Sequence, residues 1–542
     1  MALPPRGIRG SSTRQALRRP FGRERHAMSQ EVMDGIRRST LIIVGLTLLD
    51  KILALAKEML FAYRFGVSRD LDVFNVAYAF PAILAMLLGQ AVVSALVPLY
   101  MTWRERGPGE LSRNLANLGS AAILFFLVLT VACAFWSEPI MAVIGYGFPE
   151  GEKALGESLV RLLVWLIFLE GGAAVLAGVL QADKSFAALY GAQLCINLAI
   201  IAALSFFGDM GVHALAMGFL IGTGVKALVM AVVLRGARFP LRPPRPPVTP
   251  CLREFFLLAW PLVIGGLVVN SNILVDQVMS TELPSGSVSA LRYAYRINDL
   301  PLQLFVVAAA KAIFPFVSEQ AEARDALGMR RVFWRGVLFL CMVSAGMTAF
   351  VLIFSTEIVT LLLRRGAFDD QAVASTALTL SWYAAGMVFA SYAVLNGVFF
   401  TALRKNMTLM IVGVITMVCN AFFNLWFIRT IGGPEAVAMS TTVTVALTCT
   451  IFVAIIQRAL GVFHEPPRLW PFLQVAGATL LAAGLAVAVR AGLTRLGLTG
   501  LWAFPAAALM FGAAFLGSLS LSRDTEIRWC LGMVLPWGRN RT

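Results

Sequence analysis

Thr40-Leu-Ile-Ile-Val-Gly-Leu-Thr-Leu-Leu-Asp-Lys-Ile-Leu-Ala-Leu-Ala-Lys-Glu-Met-Leu-Phe-Ala-Tyr-Arg-Phe65 is the stretch on which the reading of this chain turns. It is long enough to cross a bilayer, which takes roughly 20 mostly apolar residues. Yet Asp50, Lys51, Lys57 and Glu58 lie inside it. Lys51 is about eleven residues in, so about 16 Å deep at about 1.5 Å per residue. Charge at that depth costs at least about 2.5–3.5 kcal/mol and faces a bundle interior or a watery cavity. Asp50 and Lys57 are seven apart, as are Lys51 and Glu58, so each pair shares a helix face.

The rest of the chain extends this pattern. Of 542 residues, 58% are apolar and only 14% are charged, against roughly 45–50% and about 25% in soluble domains. An ordinary cytosolic enzyme, a disordered protein and a secreted disulfide scaffold are excluded. Fourteen stretches qualify as spans: 40–65, 73–100, 116–136, 158–181, 186–208, 212–234, 254–280, 288–317, 332–354, 373–400, 407–428, 434–456, 470–490 and 500–521. An even number places both termini on one side.

The formal net charge is +15, which in a soluble protein would raise nucleic acid as a partner. Position decides otherwise. With the N-terminus in the cytoplasm, the inner loops and tails hold 29 Lys or Arg and the outer loops hold six. That is the positive-inside asymmetry, so no nucleic-acid partner is expected. The outer loop 137–157 is instead acidic and reads as solvated charge.

Residues 1–39 read as a disordered basic cytoplasmic tail without a signal-peptide apolar core, and Met28 offers an alternative start. Residues 522–542 read as a second cytoplasmic tail. Residues 236–253 contain Arg242-Pro-Pro-Arg-Pro-Pro247, which favours extended polyproline II and makes a linker between two halves. Seven cysteines without a CxxC pair and three scattered histidines suggest neither a disulfide framework nor a metal site.

The halves resemble each other. Gly66 and Pro81 match Gly286 and Pro301; Val175-Leu-Ala-Gly-Val179 matches Val394-Leu-Asn-Gly-Val398; Gly211-Val-His-Ala-Leu-Ala-Met217 matches Gly433-Pro-Glu-Ala-Val-Ala-Met439. The offsets are 220, 219 and 222. The expected fold is an all-α polytopic membrane protein of about 14 transmembrane helices. Two six-helix bundles, 40–235 and 254–457, form a parallel pseudo-repeat, with two further helices in 458–521. Such proteins place their substrate between the halves and rock them.

Span 8 repeats the charge anomaly as Arg292-Tyr-Ala-Tyr-Arg-Ile-Asn-Asp299. Arg292 and Arg296 are i,i+4 and repel unless an anion or a carboxylate lies between them. Lys51, Lys57 and Arg296 are the expected anion-binding set, with Arg292 assisting or snorkelling outward. Asp50, Glu58, Asp72 and Asp299 are expected as charge partners in the cavity, and mutual ion pairing that locks helices together is the alternative role. Glu170 and Asp276 also fall within spans, and Lys226 and Lys311 face either the cavity or the inner surface. Pro81, Pro98, Pro261, Pro301 and Pro315 are expected to break spans 2, 7 and 8.

Four of these stretches carry a family resemblance. Asp50-Lys-Ile-Leu-Ala-Leu-Ala-Lys-Glu58 through Phe65-Gly66, Asp72-Val-Phe-Asn-Val-Ala-Tyr-Ala-Phe-Pro81, Tyr293-Ala-Tyr-Arg-Ile-Asn-Asp-Leu-Pro301 through Phe314-Pro315, and Arg365-Gly-Ala-Phe368 resemble the MurJ/MviN family, within the MOP exporter superfamily. The resemblance implies a flippase for lipid II or a related polyprenyl-pyrophosphate-linked glycan in the bacterial cytoplasmic membrane, with both termini cytoplasmic. It implies peptidoglycan synthesis, membrane lipids as surroundings, cell-envelope synthesis enzymes as partners, and neither enzymatic activity nor a cofactor; the net positive charge expected of the cavity on spans 1 and 8 would couple the return step to membrane potential or an ion gradient. It also implies a groove for the lipid tail on spans 13 and 14, where Leu480, Leu481 and Trp502 lie. The sequence departs from the family at Ala85 and Met86, where arginines are typical, and at Gly89-Gln90, where an acidic-Gly element is typical. Lys51 and Lys57 stand where the family has arginines, and lysine lacks arginine's bidentate fork. A flippase for exopolysaccharide or O-antigen oligosaccharides, a multidrug or organic-cation exporter, a membrane-embedded glycosyltransferase and a scaffold without transport are the alternatives.

Overall fold

The computed structural model of the chain describes residues 21–235, 250–461, 468–496 and 503–534. Among these, every regular element is helical. The first half holds α1 (Phe21–Phe65), α2 (Arg69–Glu105), α3 (Pro108–Phe135), α4 (Ser137–Ile144), α5 (Glu150–Leu163), α6 (Trp165–Ala182), α7 (Phe186–Phe207) and α8 (Val212–Arg235). The second holds α9 (Pro250–Met279), α10 (Ser287–Pro301), α11 (Ala308–Glu322), α12 (Ala326–Leu363), α13 (Asp370–Ala402), α14 (Asn406–Ile431) and α15 (Pro434–Leu460). α16 (Leu469–Arg495) and α17 (Ala503–Ser520) pack on each other and on α12, and α18 (Thr525–Val534) follows.

Thirteen helical stretches among the described residues are long and apolar enough to cross a membrane. α1 makes the fourteenth expected span; its four central charges depress its apolar character. Span 158–181 is bent into α5 and α6 at Val164, and the acidic stretch 137–157 is mostly helix, as α4 and the start of α5.

The repeat is visible in backbone detail. α6 and α13 end on Lys184 (φ 59°) and Arg404 (φ 57°), both left-handed. Ser185 N–H donates to the Leu180 carbonyl at 2.8 Å, and Lys405 N–H donates to the Phe400 carbonyl at 2.8 Å. Each turn captures the last free carbonyls of its helix in the same way.

Several expectations change. α1 begins at Phe21, so residues 21–39 of the expected disordered tail are helical, while residues 1–20 lie outside the described residues. Arg, Glu, Gln and Met there are good helix formers, extending a helix the membrane segment already nucleates. The polyproline stretch 236–249 lies outside the described residues, and so does Trp502. Residues 525–534 of the expected C-terminal tail form α18; Arg539 and Arg541 lie outside the described residues. α2 runs through Pro81 and Pro98, α9 through Pro261 and α11 through Pro315. Pro301 alone interrupts regular α-helix, with a π-helical segment, Leu302–Val307, after it. Neighbouring helices re-satisfy a carbonyl freed by proline, so packing overrides the local break. The kink in α12 is at Phe354, not at a proline.

The halves meet most tightly at one end, where the turns after α1, α4, α9 and α12 gather. Asp72 accepts from the Gly286 N–H at 2.6 Å, the Ser289 N–H at 2.7 Å and the Ser289 hydroxyl at 2.6 Å. Ala367 N–H donates to the Tyr63 carbonyl at 2.9 Å. Arg69 pairs with Glu152 at 2.7 Å and reaches the Leu283 carbonyl. Tyr146 bonds to Glu282 across the halves, and burial together with that bond pushes its hydroxyl up to about 12. Glycines permit the close approach. A Cβ on Gly286 (φ +88°) would lie 2.6 Å from the Val67 carbonyl oxygen, and one on Gly66 (φ +55°) 2.3 Å from that of Ala367.

Candidate functional site

Behind this closed end lies a cavity of about 1110 Å³ between the halves. Its lining reaches Ser94 on α2, Gln181 on α6 and Met230 on α8, well toward the opposite end. Helix periodicity explains the lining. α1 contributes Asp50, Lys51, Ala54, Lys57 and Glu58, and α10 contributes Val288, Leu291, Arg292, Tyr295, Arg296 and Asp299. Both sets follow the three- and four-residue spacing of a single helix face.

All four expected cations therefore line one cavity. Lys57 Nζ lies 3.7 Å from Glu58 and sits over the Phe61 and Phe219 rings at 5.7 and 5.6 Å. Arg296 Nε lies 3.9 Å from the same Glu58 carboxylate, and its side chain is 52% exposed, open to the cavity. Arg292 stacks over Tyr78 and donates to the Asn75 side-chain carbonyl. Lys51 makes no ion pair among the described residues. The two arginines of α10 thus turn apart, one toward α1 and the other toward α2.

The expected charge partners separate. Glu58 stands between Lys57 and Arg296, and its Oε2 has no hydrogen-bond partner. Asp50 accepts from Asn197 at 2.9 Å, and Asp299 accepts from Gln303 at 3.2 Å, so neither pairs with a cation among the described residues. Asp72 is not in the cavity lining at all; it is fully buried in the closed end. Its place at the start of α2 puts it beside the backbone N–H groups at the start of α10, which are free donors. That neighbour is set by tertiary packing across some 200 residues of sequence.

Other polar groups complete the wall. Lys226 binds both Glu170 oxygens, at 2.6 and 2.8 Å, in the cavity wall. Lys311 on α11 is exposed and outside the lining. Asp276 accepts from Asn424 at 2.7 Å and lies 3.0 Å from the Thr441 hydroxyl, near the facing rings of Tyr295 and Tyr383. The sequence marks Asp276 as a charge in a span but not its partners, because Asn424 and Thr441 sit in ordinary-looking apolar spans. Tyr78, Tyr295 and Tyr383 line the cavity without any mark in the sequence, since aromatic residues in spans carry no distinguishing signal.

The halves place opposite charges at related positions. Lys57 and Asp276 differ by 219, and Phe219 and Thr441, their respective contacts, by 222. These are offsets of the sequence repeat. The lining holds Lys51, Lys57, Lys226, Arg292 and Arg296 against Asp50, Glu58, Glu170, Asp276 and Asp299, so the wall as a whole is formally balanced. A net positive cavity, expected from α1 and α10 alone, is not what the full wall carries. The positive charge is concentrated on the side of α1 and α10. Ala85 and Met86 also face the cavity. Among the described residues no cluster of His, Cys, Asp and Glu is arranged for a metal ion.

α16 and α17 stand beside the second half. Arg490 on α16 pairs with Glu357 on α12 at 2.7 Å, one turn past the Phe354 kink. Leu480 and Leu481 are 73% and 51% exposed, an apolar outer face suited to lipid.

A family model described as "Lipid II flippase MurJ" matches residues 61–504. The chain is similar to a "probable lipid II flippase MurJ" of Treponema pallidum, with 25% identity over 431 residues covering 77% of this chain and 80% of that protein. It is similar to the lipid II flippase MurJ of Burkholderia cenocepacia, with 24% identity over 465 residues covering 83% and 89%. Among solved structures it matches a lipid II flippase MurJ in an inward closed conformation, with a TM-score of 0.75 and 22% identity over 89% of this chain and 98% of that one. It also matches an inward-facing MATE multidrug resistance transporter of the MOP superfamily, with a TM-score of 0.63 and 16% identity over 79% and 99%. At these identities the structural matches establish the fold.

Proposed function

The chain belongs to the MurJ family of lipid II flippases, and from that premise we propose that its cavity binds the pyrophosphate of a polyprenyl-linked glycan. The protein is a multi-pass membrane transporter and not an enzyme. Lipid II or a related cell-envelope precursor is the substrate, moved across the bacterial cytoplasmic membrane by alternating access. The convergence of Lys51, Lys57, Arg292 and Arg296 on one cavity carries this reading. Lys57 and Arg296 share a single carboxylate, Glu58, so the cluster is short of negative charge until an anion arrives. The excess of basic residues in one set of loops supports cytoplasmic termini and a closed end that faces outward. The cavity then faces the side on which the precursor is made, and cell-envelope synthesis enzymes are its neighbours.

A formally neutral empty wall gives membrane potential a direction. The loaded cavity carries the charge of the substrate, and an inside-negative potential drives it outward by about 2.3 kcal/mol per charge per 100 mV for a full traverse. Flipping in vesicles that is indifferent to potential and ion gradients would defeat this coupling.

The deciding experiment is depletion of the protein in cells, with mass spectrometry of the lipid-linked glycans that accumulate on the inner leaflet. Accumulation of lipid II is expected; accumulation of another polyprenyl-pyrophosphate glycan reassigns the head group. A multidrug or organic-cation exporter is the second reading, favoured by the MATE-like fold and by Asp276 with Tyr295 and Tyr383 on one wall. Extrusion of a cationic dye on expression of the protein would support it.

A further inference from the structure

Arg292 belongs to two regions at once. Its guanidinium lines the cavity and lies 5.5 Å from the Tyr78 ring centre, while one N–H donates to the side chain of Asn75. Asn75 is 1% exposed and sits behind the cavity wall. Its other polar groups also engage the second half. Its amide nitrogen lies 3.4 Å from the Ser289 hydroxyl, and its backbone carbonyl accepts from Gln277 at 3.0 Å. One turn earlier on α2, Asp72 holds Gly286 and Ser289. Asn75 is therefore where the bonds of the closed end touch a cation of the cavity.

A neutral amide and the face of Tyr78 hold the guanidinium there, and it makes no ion pair among the described residues. Phosphate oxygens accept from a guanidinium about twice as strongly and can take it bidentately. Arg296, one turn along the same helix, adds a repulsion that a bound anion relieves further than Glu58 does alone. Both effects draw Arg292 toward an anion in the cavity and away from Asn75. The carbonyl left behind is buried and unsatisfied, which is costly while α2 and α10 stay together and relieved when they part.

We propose that the Asn75–Arg292 hydrogen bond is a latch through which a pyrophosphate bound in the cavity loosens the closed end. Asn75 is a positioning residue in this scheme, acting through Arg292. The proposal rests on the reading of the cavity as a pyrophosphate site.

The test is a distance measurement in the full-length protein in lipid nanodiscs. Spin labels carried on unnatural amino acids at Asp70 and Ser285, exposed positions on either side of the closed end, report its opening and leave the native cysteines in place. Farnesyl pyrophosphate is the probe and farnesol the control. Wild type is expected to lengthen with the pyrophosphate and not with the alcohol. Asn75→Ala removes the latch and should raise the ligand-free open-to-closed ratio at least about tenfold. Asn75→Asp replaces the amide with a carboxylate, strengthens the hold on Arg292 and should lower that ratio, with about tenfold more farnesyl pyrophosphate needed to open the protein. Damage to folding would move both variants the same way. Shifts in one direction, or no shift in either, overturn the latch. Failure of farnesyl pyrophosphate to bind wild type by calorimetry would instead remove the pyrophosphate reading, while the ligand-free distances of the two variants would still judge the latch.

Discussion

Replacing Glu58 by Gln tests whether the cavity cations are binding groups or only structural ions. The Glu58 side chain is 10% exposed and the Lys57 side chain 8%, with 3.7 Å between their charged atoms. At an effective dielectric of about 20, a pair at that distance attracts by about 4 kcal/mol, before desolvation of either partner is counted. Arg296, at 3.9 Å but half-exposed, is screened by water and adds about 1 kcal/mol at most. Removing one partner of a buried pair costs about 3–5 kcal/mol because the other is left uncompensated, whereas removing both is often neutral. Glu58→Gln is therefore expected to destabilise the protein by about 3 kcal/mol. The double variant Lys57→Met with Glu58→Gln should return to within about 1 kcal/mol of wild type, a recovery of about 2 kcal/mol over Glu58→Gln alone. The assay is a double-mutant cycle of unfolding in detergent, run beside complementation of cells depleted of the wild-type protein. Stability should recover in the double variant and transport should not, since Lys57 is then absent from the anion site. Additive destabilisation would refute the electrostatic argument. Recovered transport in the double variant would show that Lys57 serves structure alone.

Three further outcomes follow from the same geometry. Arg296→Ala should weaken binding of farnesyl pyrophosphate by about 10–100-fold, the loss of a charge-assisted hydrogen bond, while the unfolding midpoint barely moves; calorimetry and thermal unfolding check the two halves of that statement. Met86→Arg restores a cation at a lining position that is 38% exposed, and should tighten farnesyl pyrophosphate binding several-fold in low salt, with the gain fading as salt screens it. Gly286→Ala forces a side chain into left-handed backbone, at about 1–2 kcal/mol, and a Cβ to within 2.6 Å of the Val67 carbonyl oxygen. The closed end should part in the absence of ligand, seen as faster labelling of a cysteine placed at Ser287, which is buried there; unchanged labelling would mean the glycine contact does not hold the halves together.

Much of the site is legible in α1 and α10 because charge in an apolar span is expensive, and the expense marks the residue. Periodicity then assigns Lys51, Lys57, Arg292 and Arg296 to helix faces. What a face meets is a different question. Asp72 looks like a cavity carboxylate because it opens a span near other charges. It is instead bonded to Gly286 and Ser289, more than 200 residues away. Asp50 and Asp299 carry the same sequence signal as Glu58, yet Asn197 and Gln303 occupy them. Asn75 gives almost no signal by itself; its importance arises from Arg292 lying opposite.

The sequence by itself therefore determined the membrane class, the span count, the repeat and the cations at issue. Hydrophobic length, loop charge and helical period are local properties, written within a few turns of chain. Tertiary structure alone decided which carboxylate pairs with which cation and which end of the molecule is shut. Those outcomes depend on distances between helices far apart in sequence, and a pairing at 3 Å differs from one at 10 Å without any change in the residues involved.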